Sequence, residues 1–199
     1  GTFDRKVSDF ATVNKISGLE FLSCIPGTIG GAIKMNSGCY GTEICNILTS
    51  IKVMDFNGNI KEIKNNQIKF NYRNCDLPND LIILSATFEG KPSSFQKIKD
   101  RQKELITKKK ESQPGQIKTC GSTFKKPKNL KAWQLIKDSN CKDMSLGKAK
   151  ISEKHCNFFV NSGNASSQDI EGLIKKVKAR VKEKTGISLE LEIKIMGRF

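Results

Sequence analysis

Between Pro26 and Ala32 the chain reads PGTIGGA, and its three glycines put no Cβ between the backbone N–H groups and an approaching anion. Neither Lys nor Ser/Thr follows at P-loop spacing, and GxGxxG is absent, so neither common nucleotide fingerprint is met. A tight structural turn and a pyrophosphate cradle both fit this spacing. Thiols are a second source of chemistry: Cys24, Cys39, Cys45, Cys75, Cys120, Cys141 and Cys156. Their number is odd and no CxxC pair occurs, so neither a disulfide framework nor a zinc cluster is expected, and no other metal site is proposed. A nucleophilic thiol would need His155, the sole histidine, as its base. The ordinary role of each cysteine is that of a buried, reduced, small hydrophobe.

The 199 residues carry 35 basic and 20 acidic side chains, a net charge of +15. Only five of the basic residues are arginine, and no zinc-finger spacing, aromatic RNA-binding motif or basic zipper accompanies them, so nucleic-acid binding is not expected. From Lys91 to Lys131 there are 13 basic and 3 acidic residues. That stretch is either a solvated face or a funnel for an anionic small molecule. With 37% hydrophobic residues, no run of about 18 apolar residues and no signal-peptide pattern, the chain reads as globular, cytosolic and without a membrane segment. It opens on Gly1 rather than Met, as expected of a processed, tagged or excised sequence.

These residues must be positioned by a mixture of strands and helices. Leu48 to Phe56 reads as a strand, and Asn57-Gly58 predicts a hairpin turn, with positive φ at both residues, before NIKEIK. LIILSATF, Leu81 to Phe88, predicts a buried strand. Ser94 is available to cap a helix in which Phe95, Ile98, Leu105 and Ile106 fall at roughly helical spacing; Pro114 and Gly115 end it. A short helix around KAWQLIKDS and a strand at HCNFFVNSG follow. Ser167 is placed to cap a helix with Ile170, Leu173, Ile174, Val177 and Val181 on one stripe, stopped by Gly186. The terminal SLELEIKIM alternates, with Leu189, Leu191, Ile193 and Ile195 inward and Glu190, Glu192 and Lys194 outward, as a half-buried strand would. The fold class is α+β, divided at residues 1–110 and 111–199.

Six motifs in order, GLEFLSCIPGTIGGAIKMNSGCYG, NYRN, QP, GSTFKKP, SEKHCNFFVN and LELEIKIMG, give the chain a clear resemblance to the UDP-N-acetylenolpyruvoylglucosamine reductase (MurB) family, in its shorter form. The resemblance implies the C-terminal part of an FAD-binding domain followed by a smaller α+β substrate-binding domain. It also implies a cytoplasmic step of peptidoglycan precursor synthesis, in which NADPH reduces FAD and the flavin reduces the enolpyruvyl ether of a UDP-sugar to UDP-N-acetylmuramate. The family's N-terminal glycine-rich segment, which completes the FAD site, is expected before Gly1. The competing readings are an inactive, truncated family member and an anionic-ligand binding module; retained flavin absorbance would separate the module from the enzyme.

Residue by residue, the resemblance assigns Arg73 to the substrate carboxylate and the enolate that develops on it, Ser122 to proton donation at C2, and Glu192 to assisting that intermediate. Alone, these would be a surface arginine, a turn serine and the wet face of a strand. Pro26, Gly27, Thr28, Ile29, Gly30, Gly31 and Ala32, with Asn36 and Gly38, match the flavin-contacting segment, in agreement with the cradle reading of the glycines. Tyr72, Lys110 and His155 match positions near the substrate, with Lys110 facing the UDP diphosphate; a structural histidine is an equal alternative at His155. Lys126 stands where the family commonly has a substrate-binding asparagine. Oligomeric state is not encoded in any of these motifs.

Overall fold

The computed structural model describes residues 1–115 and 117–197. The chain divides into two compact units, Gly1–Lys109 and Lys110–Phe199, each with its own apolar core. No described helix is long and apolar enough to cross a membrane, and no described group of His, Cys, Asp or Glu could hold a metal.

The first unit opens with helix α1, Asp4–Val13, which sequence periodicity does not announce because its buried face holds Asp4, Ser8, Ala11 and Thr12. Two of the polar members have partners: Thr12 Oγ1 donates to the Ser8 carbonyl (2.8 Å), and Gln102, from far along the chain, donates to Ser8 Oγ (2.8 Å). A three-stranded antiparallel sheet follows, with Leu48–Met54 between Ile60–Lys64 and Ile82–Phe88. The expected hairpin is present, but only Gly58 has positive φ (85°) at the predicted pair. Asp55 explains the difference. Its carbonyl accepts from Gly58 N and its carboxylate from Asn57 N and Asn59 N, building a longer loop with the left-handed residue at Gly58. Ile82–Phe88 is not the buried strand expected. Only one of its faces meets the core, so Ile82 and Leu84 are 44% and 47% exposed while Ile83, Ala86 and Phe88 pack on the core.

Helix α3, Phe95–Ser112, takes the helical segment expected from Ser94 onward, after the short α2, Ile29–Lys34. Ser94 Oγ accepts from Lys97 N, and Ile98 and Leu105 are buried; Phe95 is exposed instead of joining them. The second unit is a four-stranded antiparallel sheet ordered Lys118–Ser122, Phe158–Asn161, Ala149–Ile151, Ser145–Leu146, with α4, Ala132–Asp138, and α5, Ser167–Thr185. The α5 stripe is as expected, with Leu173, Ile174, Val177 and Val181 buried, but the cap is Ser166, in reciprocal hydrogen bonds with Asp169. The terminal strand is reduced to one bridge, Phe124 to Leu191. Leu189 is fully buried and Leu191 and Ile193 partly so, whereas Ile195 is 39% exposed, so the alternation ends before it.

Asp4 is the exception to polar satisfaction in α1. It is fully buried, neither carboxylate oxygen has a partner among the described residues, and burial raises its pKa to about 6. Because the folded pKa lies above the unfolded one, the carboxyl is uncharged at low pH and the cost of burying its charge is absent there. Stability should therefore fall as pH rises from about 4 through 6 and stay low above. Asp4→Asn should flatten that slope and stabilise the protein by about 2–3 kcal/mol at pH 7.5, read from urea unfolding at several pH values. An unchanged slope in the variant would remove Asp4 as its source.

Candidate active site

In the first unit PGTIGGA is only partly a loop, because Ile29–Lys34 forms a short helix, α2, that includes Gly30 and Gly31. Its apolar side is fixed by Ile29, Ala32 and Ile33, all in the core. Pro26, Gly27 and Gly31 remain exposed. Backbone bonds from Asp4 N to the Gly27 carbonyl (3.1 Å) and from Ile29 N to the Thr2 carbonyl (3.0 Å) fasten this segment to the start of α1. Gly30 and Gly31 occupy the first turn, whose N–H groups have no intrahelical acceptor. With no side chain at either residue to screen those groups, the segment fits a flavin dinucleotide. Beside it lies a cavity of about 450 Å³ lined by Arg5, Lys6, Pro26, Gly27 and Lys109, among others.

Tyr72 and Arg73 form the two-residue tip of a hairpin between Phe70–Asn71 and Asn74–Cys75. Arg73 has φ 55°, a left-handed conformation that a residue with a Cβ holds only when its surroundings enforce it. Those surroundings are visible. Its Nη2 donates to the Gly38 carbonyl (2.9 Å), Nη1 lies 4.0 Å from Glu43 Oε1, and the guanidinium carbon sits 4.9 Å from the Tyr72 ring centre. Asn36, buried and also left-handed (φ 40°), joins the end of α2 to this hairpin. Its Nδ2 donates to Glu43 Oε2 (2.8 Å) and the Asn71 carbonyl (3.2 Å), and its Oδ1 accepts from Cys45 N (3.1 Å). The Asn36 side chain is thus engaged within the protein. Of the residues expected from sequence, Asn36, Gly38, Tyr72 and Arg73 are brought together here.

In the second unit Ser122 ends the strand Lys118–Ser122, half-buried, after a register shift at Cys120–Gly121. Cys120 is exposed there, contrary to the expectation that every cysteine is a buried hydrophobe; Cys39 and Cys45 are only partly buried as well. The residues after Ser122 are clamped from two sides. Asn157 acts as a peptide group in side-chain form, its Oδ1 accepting from Phe124 N (3.0 Å) and its Nδ2 donating to the Phe124 carbonyl (2.8 Å), while its own carbonyl accepts from Thr123 N (2.7 Å). From the other side Glu192 N donates to the Thr123 carbonyl (2.9 Å), and Lys125 N to the Glu190 carbonyl (2.9 Å). Ser122 and Glu192 are therefore carried on adjacent segments.

His155 is half-buried, and burial depresses its pKa below the ordinary imidazole value. Its Nδ1 accepts from Asn157 N (3.2 Å) and its ring meets Phe158 edge-on, 4.8 Å between centres. It lines a cavity of about 430 Å³ with Trp133, Lys137, Lys142, Glu153 and Lys154. Lys154 Nζ donates to the carbonyl of Lys110, which relates the expected Lys110 to this cavity through its main chain. Lys126 is exposed and does not line it.

Two residues in these networks have no counterpart in the sequence reading. Glu43 has no periodic or motif signal of its own, although Tyr40-Gly41 between Gly38-Cys39 and Thr42-Glu43 has the form of a two-residue hairpin loop, and both loop residues have positive φ. Asn157 lies just before a strand in HCNFFVN, and nothing local marks its long-range pairing.

Comparison with known proteins agrees with the two-part organisation. Residues 1–64 match an FAD binding domain, and residues 113–196 match the C-terminal domain of UDP-N-acetylenolpyruvoylglucosamine reductase. The reductase of Pelagibacter ubique (strain HTCC1062) is 52% identical over 196 residues, 97% of this chain and 65% of that protein. That of Wolbachia sp. subsp. Drosophila simulans (strain wRi) is 44% identical over 194 residues, 97% of this chain and 66% of that one. The chain thus spans just under two thirds of the length of these relatives. The crystal structure of UDP-N-acetylenolpyruvylglucosamine reductase (MurB) from Thermus caldophilus matches with a TM-score of 0.87 and 32% identity, over 98% of this chain and 70% of that one. On this combination of fold, domain models and identity, the chain belongs to the UDP-N-acetylenolpyruvoylglucosamine reductase family.

Proposed function

We propose that the protein carries out, with FAD, the NADPH-dependent reduction of UDP-N-acetylglucosamine enolpyruvate to UDP-N-acetylmuramate, a cytoplasmic step of peptidoglycan precursor synthesis that serves cell-wall growth, cell shape and division. The observation that carries the reading is the strained Arg73, tied to the Gly38 carbonyl within the segment that matches an FAD binding domain. A permanently charged planar donor suits both a substrate carboxylate and the negative charge that grows on it.

Bound FAD would supply the hydride, held along Pro26 to Ala32 and near Gly38. The chain's own residues do the rest. Arg73 orients the enolpyruvyl carboxylate and stabilises the enolate-like charge that follows hydride arrival at C3. Ser122 delivers the proton to C2, and Glu192, on the segment beside it, assists that intermediate. Lys110 and the lysines around the His155 cavity attract the UDP diphosphate, Tyr72 adds a contact near Arg73, and Lys126 takes the place of the family's asparagine. Purification with added FAD, followed by flavin absorbance after gel filtration and NADPH oxidation that depends on the enolpyruvyl substrate, tests this. With the family's N-terminal glycine-rich segment in place, retained flavin with substrate-dependent turnover is the expected result. Absence of both would leave an inactive family member or the anionic-ligand binding module as the better description.

A further inference from the structure

We propose that Glu43 is a positioning residue for Arg73, drawing the guanidinium by its charge toward the Asn36–Gly38 segment. This rests on the role proposed above for Arg73. Glu43 ends the small hairpin formed by Gly38–Cys39 and Thr42–Glu43. Its carboxylate meets three separate parts of the first unit: Asn36 Nδ2 at 2.8 Å, the Asn46 backbone N–H in a capping box, and Arg73 Nη1 at 4.0 Å. Its own N–H is taken by Asn46 Oδ1 (2.7 Å), so backbone and side chain are fixed together. The same hairpin thus meets the guanidinium twice, by a hydrogen bond from Nη2 to the Gly38 carbonyl and by the charge of Glu43, 4.0 Å from Nη1 and beyond hydrogen-bond distance.

Gly38 makes this grip possible. A Cβ there would fall 2.6 Å from Glu43 Cγ and 2.6 Å from the Thr42 carbonyl oxygen, so any side chain would push the carboxylate or the hairpin away. The pair is also partly withdrawn from water, the two side chains being 19% and 37% exposed, and the attraction is screened less than on an open surface. A cap for the Ile44–Asn46 turn needs no charge opposite Arg73. The acidic character of Glu43 gives Arg73 an opposite charge, which neither the Gly38 carbonyl nor the Tyr72 ring supplies.

The test uses the FAD-loaded enzyme and follows flavin absorbance in two phases, bleaching by NADPH and recovery on adding the enolpyruvyl substrate. Glu43→Gln keeps the size of the side chain but turns an amide group toward either Arg73 or Asn36. It should retain FAD, leave bleaching within about 3-fold, and slow recovery by about 10- to 50-fold. In an Arg73→Ala background the same substitution should add less than about 3-fold, because the group it orients is gone. Equal slowing of both phases would show a purely structural role, and unaltered recovery or fully additive losses would likewise overturn the assignment. If Glu43→Gln does not retain FAD, Glu43→Asp, which keeps the charge but withdraws it, decides: recovery slowed by about 3- to 10-fold with normal bleaching supports the role, and any other pattern rejects it. If Arg73→Ala alone leaves recovery unchanged, Arg73 leaves the site and this inference goes with it. Additive losses, by contrast, reject Glu43 alone.

Discussion

Replacing Ser122 with alanine in the FAD-loaded enzyme is expected to slow substrate-driven flavin recovery by about 100- to 10,000-fold while bleaching by NADPH stays nearly normal. A proton donor acts only after hydride has reached the substrate, so the first half of the cycle has no need of it. The serine hydroxyl is a weak acid, and its placement has to assist the transfer. It is half-buried at the end of a strand, and the segment that follows is held on one side by Asn157 and on the other by the main chain at Glu192. The removed atom is one oxygen on a surface that no core side chain fills, so stability should change little. Stopped-flow absorbance separates the phases, and an unchanged recovery would take Ser122 out of the mechanism.

The largest loss of stability is expected at Asn157. Its side-chain amide makes both hydrogen bonds of the buried Phe124 peptide units, N–H and carbonyl, across 33 residues of sequence. Asn157→Ala deletes both and leaves a donor and an acceptor buried without partners, each costing about 1–3 kcal/mol. The expected total is about 2–5 kcal/mol. Asn157→Asp should recover part of it at most, because it restores an acceptor for Phe124 N but sets a carboxylate oxygen against the Phe124 carbonyl. Urea unfolding followed by the fluorescence of Trp133, the sole tryptophan and a resident of the same unit, reads the change. A loss below about 1 kcal/mol in the alanine variant would show that water satisfies the peptide groups instead.

The elements legible in the sequence are those whose signal is local. Alternation and the Asn57-Gly58 pair locate the hairpin of Leu48–Met54 and Ile60–Lys64, and the apolar stripe of α5 locates its buried face. Where the buried face of a helix is polar, or its sequence is glycine-rich, periodicity is silent: α1 buries Asp4, Ser8 and Thr12, and α2 contains two adjacent glycines that argue against a helix on propensity. The terminal segment shows the reverse error. Its alternation is genuine as far as Ile193, but among the described residues one bridge to Phe124 is the pairing it makes, since hydrophobic pattern reports facing rather than hydrogen bonding. The site was less legible still. Spacing alone left PGTIGGA open between a turn and a cradle, and Arg73, Ser122 and Glu192 stood out only through resemblance to a family. Glu43 needed three contacts from separate parts of the chain to be seen at all.

The irregularity at Cys120–Gly121 has a use in labelling chemistry. Of the seven thiols, Cys120 alone is exposed; Cys24, Cys75, Cys141 and Cys156 are buried, and Cys39 and Cys45 are partly covered. Burial, with Cys24 nearby, pushes the Cys39 thiol up to about 12, and burial also raises those of Cys45 and Cys141, which keeps them from forming the reactive thiolate near neutral pH. Under mild conditions a maleimide or iodoacetamide should therefore stop at one equivalent per chain. The unmodified sequence already offers a single attachment point for a fluorophore or mass tag, two residues from Ser122.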